Sequence, residues 1–219
     1  MPNLQKYPNE RYIKNFRYIK KSPIIFFHRG LWKTMKIYFD GCSFTYGSDL
    51  KDKFRTRYSR LVCNYYNARE YNLAKGGGCN RRIARNLLEH NLSEYDIIIL
   101  QMTKRQRTEY YDGEWKRVGL NKVLRKNVEN FWMSYYKDIY TEEYGITDEK
   151  IYYNLFRSML KDKPHVILSI EGEPSVPVDF HIGKNIPRVD VVKAGHHRNN
   201  RHPNEEGHQL ICKGICDIL

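Results

Sequence analysis

Three short segments hold the residue types that acyl-transfer chemistry uses. The first is Gly41-Cys42-Ser43-Phe44-Thr45-Tyr46-Gly47. A serine on a tight turn can present its hydroxyl and its backbone N–H to the same small volume. Taken singly, such a turn is structural more often than catalytic. The second is Asn72-Leu73-Ala74-Lys75-Gly76-Gly77-Gly78-Cys79-Asn80. Its glycines let the backbone approach a ligand closely and turn N–H groups toward it, as one wall of an oxyanion hole would. The plainer reading is a turn ahead of a helix, with Cys79 or Asn80 near the helix start. No Gly-Lys-Ser/Thr follows, which argues against a phosphate-cradling loop. The third is His202-Pro203-Asn204-Glu205-Glu206-Gly207-His208. A serine hydroxyl is a weak nucleophile at neutral pH, and an imidazole is its usual activating base.

His196 and His197 join His202 and His208 in the same region, so a metal-dependent hydrolase stands as an alternative. A catalytic zinc needs about three converging protein ligands. The leading reading calls for no metal and no cofactor.

These residues need a frame. Lys36–Asp40 is a short run of β-formers ahead of the serine turn. Residues 54–66 carry a helical period, and Tyr71–Ala74 reads as a short strand before the glycines. A helix is expected over 80–90, with Ile83, Ala84, Leu87 and Leu88 on one stripe. Tyr95–Gln101 contains Ile97-Ile98-Ile99-Leu100, the continuous apolar signature of a buried parallel strand. Helices are expected over 121–141 and 148–161, strands at His165–Ile170 and Arg188–Val192, and a closing helix over 204–218, with Pro203 suited to its first turn. Strands alternating with helices imply an α/β fold with a parallel sheet covered on both faces. Ligands of such sheets gather at the carboxyl ends of the strands, where all three segments fall.

The 219 residues suffice for one domain with a full core, and 41% hydrophobic with 29% charged is a globular composition. No stretch approaches the roughly 18 apolar residues of a membrane span. The run Pro23-Ile24-Ile25-Phe26-Phe27 is shorter than a signal-peptide core of ~7–15 residues and ends in His28-Arg29. The expectation is a cytoplasmic protein, or a virion-associated one if phage-encoded, not secreted by a signal peptide. Five cysteines at irregular spacing form no disulfide framework. Residues 1–34 carry eight basic side chains against the single acid Glu10, over half of the formal charge of +13. They are read as a basic N-terminal extension to a domain over 35–219. Interleaved with Tyr7, Tyr12, Phe16 and Tyr18, that extension could bind a polyanion weakly; a solvated arm that binds nothing is the alternative.

Together and in this order, the segments resemble the SGNH/GDSL hydrolase superfamily, over roughly residues 35–219. Gly41–Gly47 is similar to its first block, with Cys42 in place of aspartate, and more particularly to a divergent Gly-Cys-Ser-Phe-Thr-Tyr-Gly branch of phage and microbial proteins. Asn72–Asn80 resembles the second block, and His202-Pro203-Asn204 the last. The resemblance implies a three-layer α/β/α flavodoxin-like fold and a serine-dependent hydrolase of the esterase or carbohydrate O-deacetylase type. It implies Ser43 as nucleophile, His202 as base, and the Ser43 and Gly77 N–H groups as oxyanion donors. The substrate would be a small acyl ester or an acylated carbohydrate. Thr103 stands where the family's third block has asparagine, and is expected to add a hydroxyl donor. Arg107 and Glu109 follow as substrate contacts or as a pair with each other. Asn199 stands three residues before His202, where the family has its triad aspartate. It could orient the imidazole by a hydrogen bond but lends it no charge; Asp179 or Asp190 could substitute. These departures keep a second reading open, an SGNH-fold binding or structural module that recognises glycan or polyanion without catalysis.

Overall fold

The computed structural model describes residues 34–119, 130–169, 173–181 and 202–219. In chain order its elements are β1 (Lys36–Asp40), α1 (Ser43–Tyr46), α2 (Lys53–Thr56), α3 (Tyr58–Tyr65), β2 (Arg69–Asn72), α4 (Asn80–Glu89) and β3 (Ile97–Met102). Then follow β4 (Arg107–Asp112), β5 (Glu114–Gly119), α5 (Asn130–Ser134), a π-helical turn (Tyr135–Ile139), α6 (Glu142–Met159), β6 (His165–Ser169), β7 (Phe180–His181) and α7 (Glu205–Ile218).

Five strands form one sheet in the order β2-β1-β3-β6-β7, with every neighbouring pair parallel. Leaving out the separate β4–β5 hairpin, that is the flavodoxin-like order 2-1-3-4-5, whose crevice opens beyond the carboxyl ends of β1 and β3. Side chains alternate across the sheet with period two. Ile37, Phe39, Ile99, Val166 and Leu168 meet Val62 and Cys63 of α3 and Ile211 and Ile215 of α7. Tyr38, Ile98, Leu100, Met102 and Ile167 meet Ile83 and Leu87 of α4 and Tyr153 and Phe156 of α6. The result is the expected three-layer α/β/α sandwich. No helix among the described residues is long and apolar enough to cross a membrane.

Several boundaries differ from the periodicity, each for a local reason. The helical run over 54–66 is split at Arg57, whose backbone is extended (φ −67°, ψ 145°). Its guanidinium makes a two-pronged pair with Glu70 of β2, Nε to Oε1 at 2.9 Å and Nη2 to Oε2 at 3.0 Å. Strand β2 begins at Arg69, two residues ahead of the expected Tyr71, in register with Lys36. Strand β3 begins only at Ile97, because the Asp96 carboxylate accepts from the Lys36 N–H at 2.7 Å. Helix α6 starts at Glu142, before the expected 148, since the Thr141 hydroxyl caps it by accepting from Tyr144 N–H at 3.1 Å. The cap of α7 is Asn204, which accepts from Gly207 N–H at 2.8 Å, so Pro203 lies just outside the helix rather than in its first turn. Of the helix expected over 121–141, the structure describes the part from Asn130. The expected strand Arg188–Val192 lies outside the described residues, as does the extension through residue 33.

Helix α4 is fastened to the end of β1 by a buried charge. Asp40 is fully buried and accepts from Arg82 Nη1 at 2.8 Å, Asn86 Nδ2 at 2.7 Å and Gly41 N–H at 2.7 Å. A carboxylate out of water is tolerable only when surrounded by donors in this way. Removing one partner of such a pair costs about 3–5 kcal/mol.

On the other face, His208 of α7 is fully buried and stacks on Tyr58 with ring centroids 5.9 Å apart. Its Nδ1 accepts from the Tyr58 N–H at 3.1 Å, which puts the neutral ring's proton on Nε2. Burial, helped by the nearby His202 and Arg57, holds this imidazole down at about 3. Between about pH 6.5 and pH 3 the unfolded chain therefore binds a proton that the folded chain refuses. Stability from this group is complete above that window and falls as pH falls through it, by up to ~1.4 kcal/mol per unit. We expect His208→Gln, whose amide oxygen can still accept from Tyr58, to reduce the loss of Tm between pH 6 and pH 4. Identical acid slopes for the two proteins would show that this ring does not set the dependence.

Candidate active site

The serine turn is built by a buried side chain of the central strand. Cys42 is extended and opens α1, so Ser43 is its first residue. Gln101 of β3 is fully buried, and its Oε1 accepts from Cys42 N–H at 3.2 Å, Thr45 N–H at 3.3 Å and the Thr45 hydroxyl at 2.7 Å. Its Nε2 donates to Cys42 Sγ at 3.0 Å. The Tyr58 hydroxyl lies 2.7 Å from Thr45 Oγ1 and donates to it, because Thr45 has given its own proton to Gln101. Gly41 is required here: a Cβ on it would lie 2.4 Å from Thr45 Oγ1 and 2.7 Å from Gln101 Cβ. The helix ends at Gly47 in the left-handed region (φ 78°), its N–H donating to Ser43 O at 3.0 Å.

The glycine segment lies directly against this turn. A Cβ on Gly78 would meet Gly41 O at 2.6 Å, and Lys75 N–H donates to the same carbonyl at 3.4 Å. Gly77 is left-handed (φ 70°) and exposed. Neither the Ser43 N–H nor the Gly77 N–H has a hydrogen-bond acceptor among the described residues. Thr103, just past β3, is buried; its N–H and hydroxyl donate to Asn80 Oδ1 at 2.8 and 3.1 Å.

The β4–β5 hairpin covers the far side of the glycines, with the Arg117 guanidinium donating to Gly76 O. Glu109 is 1% exposed and pairs with Arg85, Nε to Oε1 at 2.9 Å, rather than with Arg107. Arg107 begins β4 opposite Gly119, half-buried.

His202 comes from the loop ahead of α7. Its ring meets Phe44, the neighbour of Ser43, edge-on with centroids 5.4 Å apart. Its Nδ1 is 2.6 Å from Asp49 Oδ2. Among the described residues no hydrogen bond joins Ser43 Oγ to the ring; the hydroxyl contacts Cys42 Sγ at 3.8 Å. Asn199 and Asp190 lie outside the described residues. Asp179 accepts from Ile167 N–H at 2.7 Å and pairs with Arg157 at 3.5 Å, at the β6–β7 edge. Sequence reasoning thus missed two groups, Gln101 and Asp49. Among the described residues no three histidine, cysteine or acidic side chains converge as metal ligands would.

No protein-family model matches this chain, and no curated protein matches it in sequence. Solved structures are similar to it. One, described as a lipolytic protein of the G-D-S-L family from Desulfitobacterium hafniense DCB-2, has a TM-score of 0.48 at 9% identity, covering 85% of this chain and all 100% of the other. A psychrotrophic esterase, EstA, from Pseudoalteromonas sp. has a TM-score of 0.45 at 12% identity, over 83% of this chain and 94% of its own. A family two carbohydrate esterase from Clostridium thermocellum reaches 0.47 at 13%, over 84% and 63%. All three TM-scores lie under 0.5, so what this chain does has to be read from its own side chains.

Gln101→Leu fills a similar volume but leaves the Cys42 and Thr45 donors buried without an acceptor, at about 1–3 kcal/mol for each such group. We expect a lower urea midpoint with an unchanged m-value, corresponding to a loss of about 2–4 kcal/mol. A wild-type midpoint would mean that the amide does not hold the turn.

Proposed function

We propose that this chain is a serine-dependent acyl-ester hydrolase, of the esterase or carbohydrate O-deacetylase type. The observation that carries the proposal is the meeting of the 202 imidazole with the turn that bears Ser43, at the crevice end of β1. The unengaged N–H groups of Ser43 and Gly77 support it.

In this reading Ser43 Oγ attacks the ester carbonyl carbon while its proton passes to His202 Nε2. The carbonyl oxygen gains the charge and is held by the Ser43 and Gly77 N–H groups; donors of this kind are worth about 10²–10³ in rate each. Thr103 enters as the third donor through Asn80, because its own hydroxyl proton is given to Asn80 Oδ1. Its bonds to Asn80 Oδ1 leave Asn80 Nδ2 without an acceptor among the described residues. The tetrahedral intermediate then collapses, and the alcohol leaves with the proton from His202. Water, deprotonated by the same ring, cleaves the acyl-serine and returns the free acid and Ser43. The substrate is a small acyl ester or an acylated carbohydrate.

Hydrolysis of p-nitrophenyl acetate by the purified protein should fall at least ~10³-fold in Ser43→Ala, and a fluorophosphonate probe should label the wild type alone. Equal rates in the two proteins would refute serine catalysis. Absent labelling together with salt-dependent glycan or polyanion binding would favour a non-catalytic module instead.

A further inference from the structure

We propose that Asp49 is the carboxylate that positions His202, so that the acid of the catalytic set comes from the nucleophile's own loop. This deepens the reading of Ser43 and His202 given above and rests on it. Asp49 Oδ2 lies 2.6 Å from His202 Nδ1, across 153 residues of chain. The backbone brings it there by an uncommon route. Asp49 is left-handed (φ 69°), two residues after the left-handed Gly47 (φ 78°), and Ser48 N–H donates back to Ser43 O at 2.9 Å. Aspartate and asparagine tolerate this region better than other residues with a Cβ. The reversal carries a side chain from beyond α1 back toward its start, where His202 packs on Phe44.

Two other charges near this loop have partners of their own. Lys53 Nζ bonds the Tyr46 hydroxyl and lies over its ring at 3.7 Å, and Asp52 pairs with Arg55 at 3.5 Å. Asp49 is the acid that meets the imidazole. An acid on Nδ1 does two things for a serine base. It holds the neutral ring with its proton on Nδ1, leaving the Nε2 lone pair for the serine, and it stabilises the imidazolium formed during attack. Asparagine at 199 could at most do the first.

The carboxylate here is 62% exposed at its side chain, and the ring 26%. Solvent screens such a pair, so its loss should cost less than the ~10⁴-fold seen for a buried triad acid, on the order of 10–100-fold in kcat. Asp49→Gly removes the carboxylate without straining the left-handed backbone. With histidine labelled by ¹⁵N, long-range correlation spectra at pH 8 read the ring's tautomer independently of turnover. The wild type should show the Nδ1–H form at His202, and Asp49→Gly should shift it toward Nε2–H. In parallel, kcat for p-nitrophenyl acetate should fall with KM within about 2-fold. Sodium formate, compared with chloride at equal ionic strength, should restore part of the rate to Asp49→Gly and none to Ser43→Ala.

An unchanged tautomer in Asp49→Gly would overturn the assignment, and so would a changed tautomer with undiminished kcat. Either result leaves Ser43-dependent hydrolysis standing. Wild-type turnover in Ser43→Ala would instead overturn the reading on which Asp49's role depends.

Discussion

A helix of four residues has almost no stability of its own, since nucleation fixes several dihedrals for each hydrogen bond gained. Helix α1 exists because the Gln101 carboxamide, projecting from the central strand, accepts from both ends of its first turn. The contact also registers the two halves of the site to one sheet. From Gln101 it passes through Thr45 to Tyr58, and from the Tyr58 backbone to His208. His208 sits in the first turn of α7, the helix that His202 precedes. Ser43 and His202 thus hang on opposite ends of one buried polar chain. Such chains hold geometry best when every member is satisfied; here the links through Thr45 and Tyr58 are made, while the buried His208 Nε2 at the far end has no partner among the described residues. Cys42 fits this account. It is fully buried and takes the Gln101 Nε2 at 3.0 Å.

The sheet was legible because buried parallel strands are apolar on both sides, and Ile97–Leu100 can hardly be anything else. The serine and glycine turns were legible because glycine best suits the left-handed or crowded backbone at 41, 47, 77 and 78, and the histidine because it stands just ahead of a closing helix. Charge pairing escaped. The helical period over 54–66 runs unbroken, and the break comes from tertiary partners, Glu70 for Arg57 and His208 Nδ1 for the Tyr58 N–H. Glu109 reads as a substrate contact or a partner for Arg107, yet a bond to Arg85 lets it sit at 1% exposure. The β4–β5 hairpin went unread, although Asp112-Gly113 is the kind of dipeptide that turns one, and Gly113 is left-handed at φ 67°. Asp49 could not be found by motif at all. Nothing in a polar loop says which carboxylate will face an imidazole 153 residues away.

The hairpin is the part of the fold least dictated by the sheet. It follows β3, the central strand, and among the described residues pairs only with itself. Its inner face is held by Glu109 on Arg85 and by Arg117 on the glycine carbonyl at 76. On its other face Val118 packs with Trp132, and Tyr110 beside them. Tyr111 and Trp115 face each other in register near the tip, largely exposed, with Arg85 4.6 Å from the indole. Of these hairpin side chains Arg117 is the one that reaches the glycines, its Nη1 3.8 Å from where a Cβ on Gly77 would stand.

The place where the Gly78 α-carbon presses on the carbonyl of Gly41 has a consequence for how such a cleft can diversify. Both walls there are bare main chain in mutual contact, so neither offers a position where a new side chain would alter the fit. Change around that contact falls instead to the side chains beside it, Ser48 of the serine loop and Arg117 of the appended hairpin.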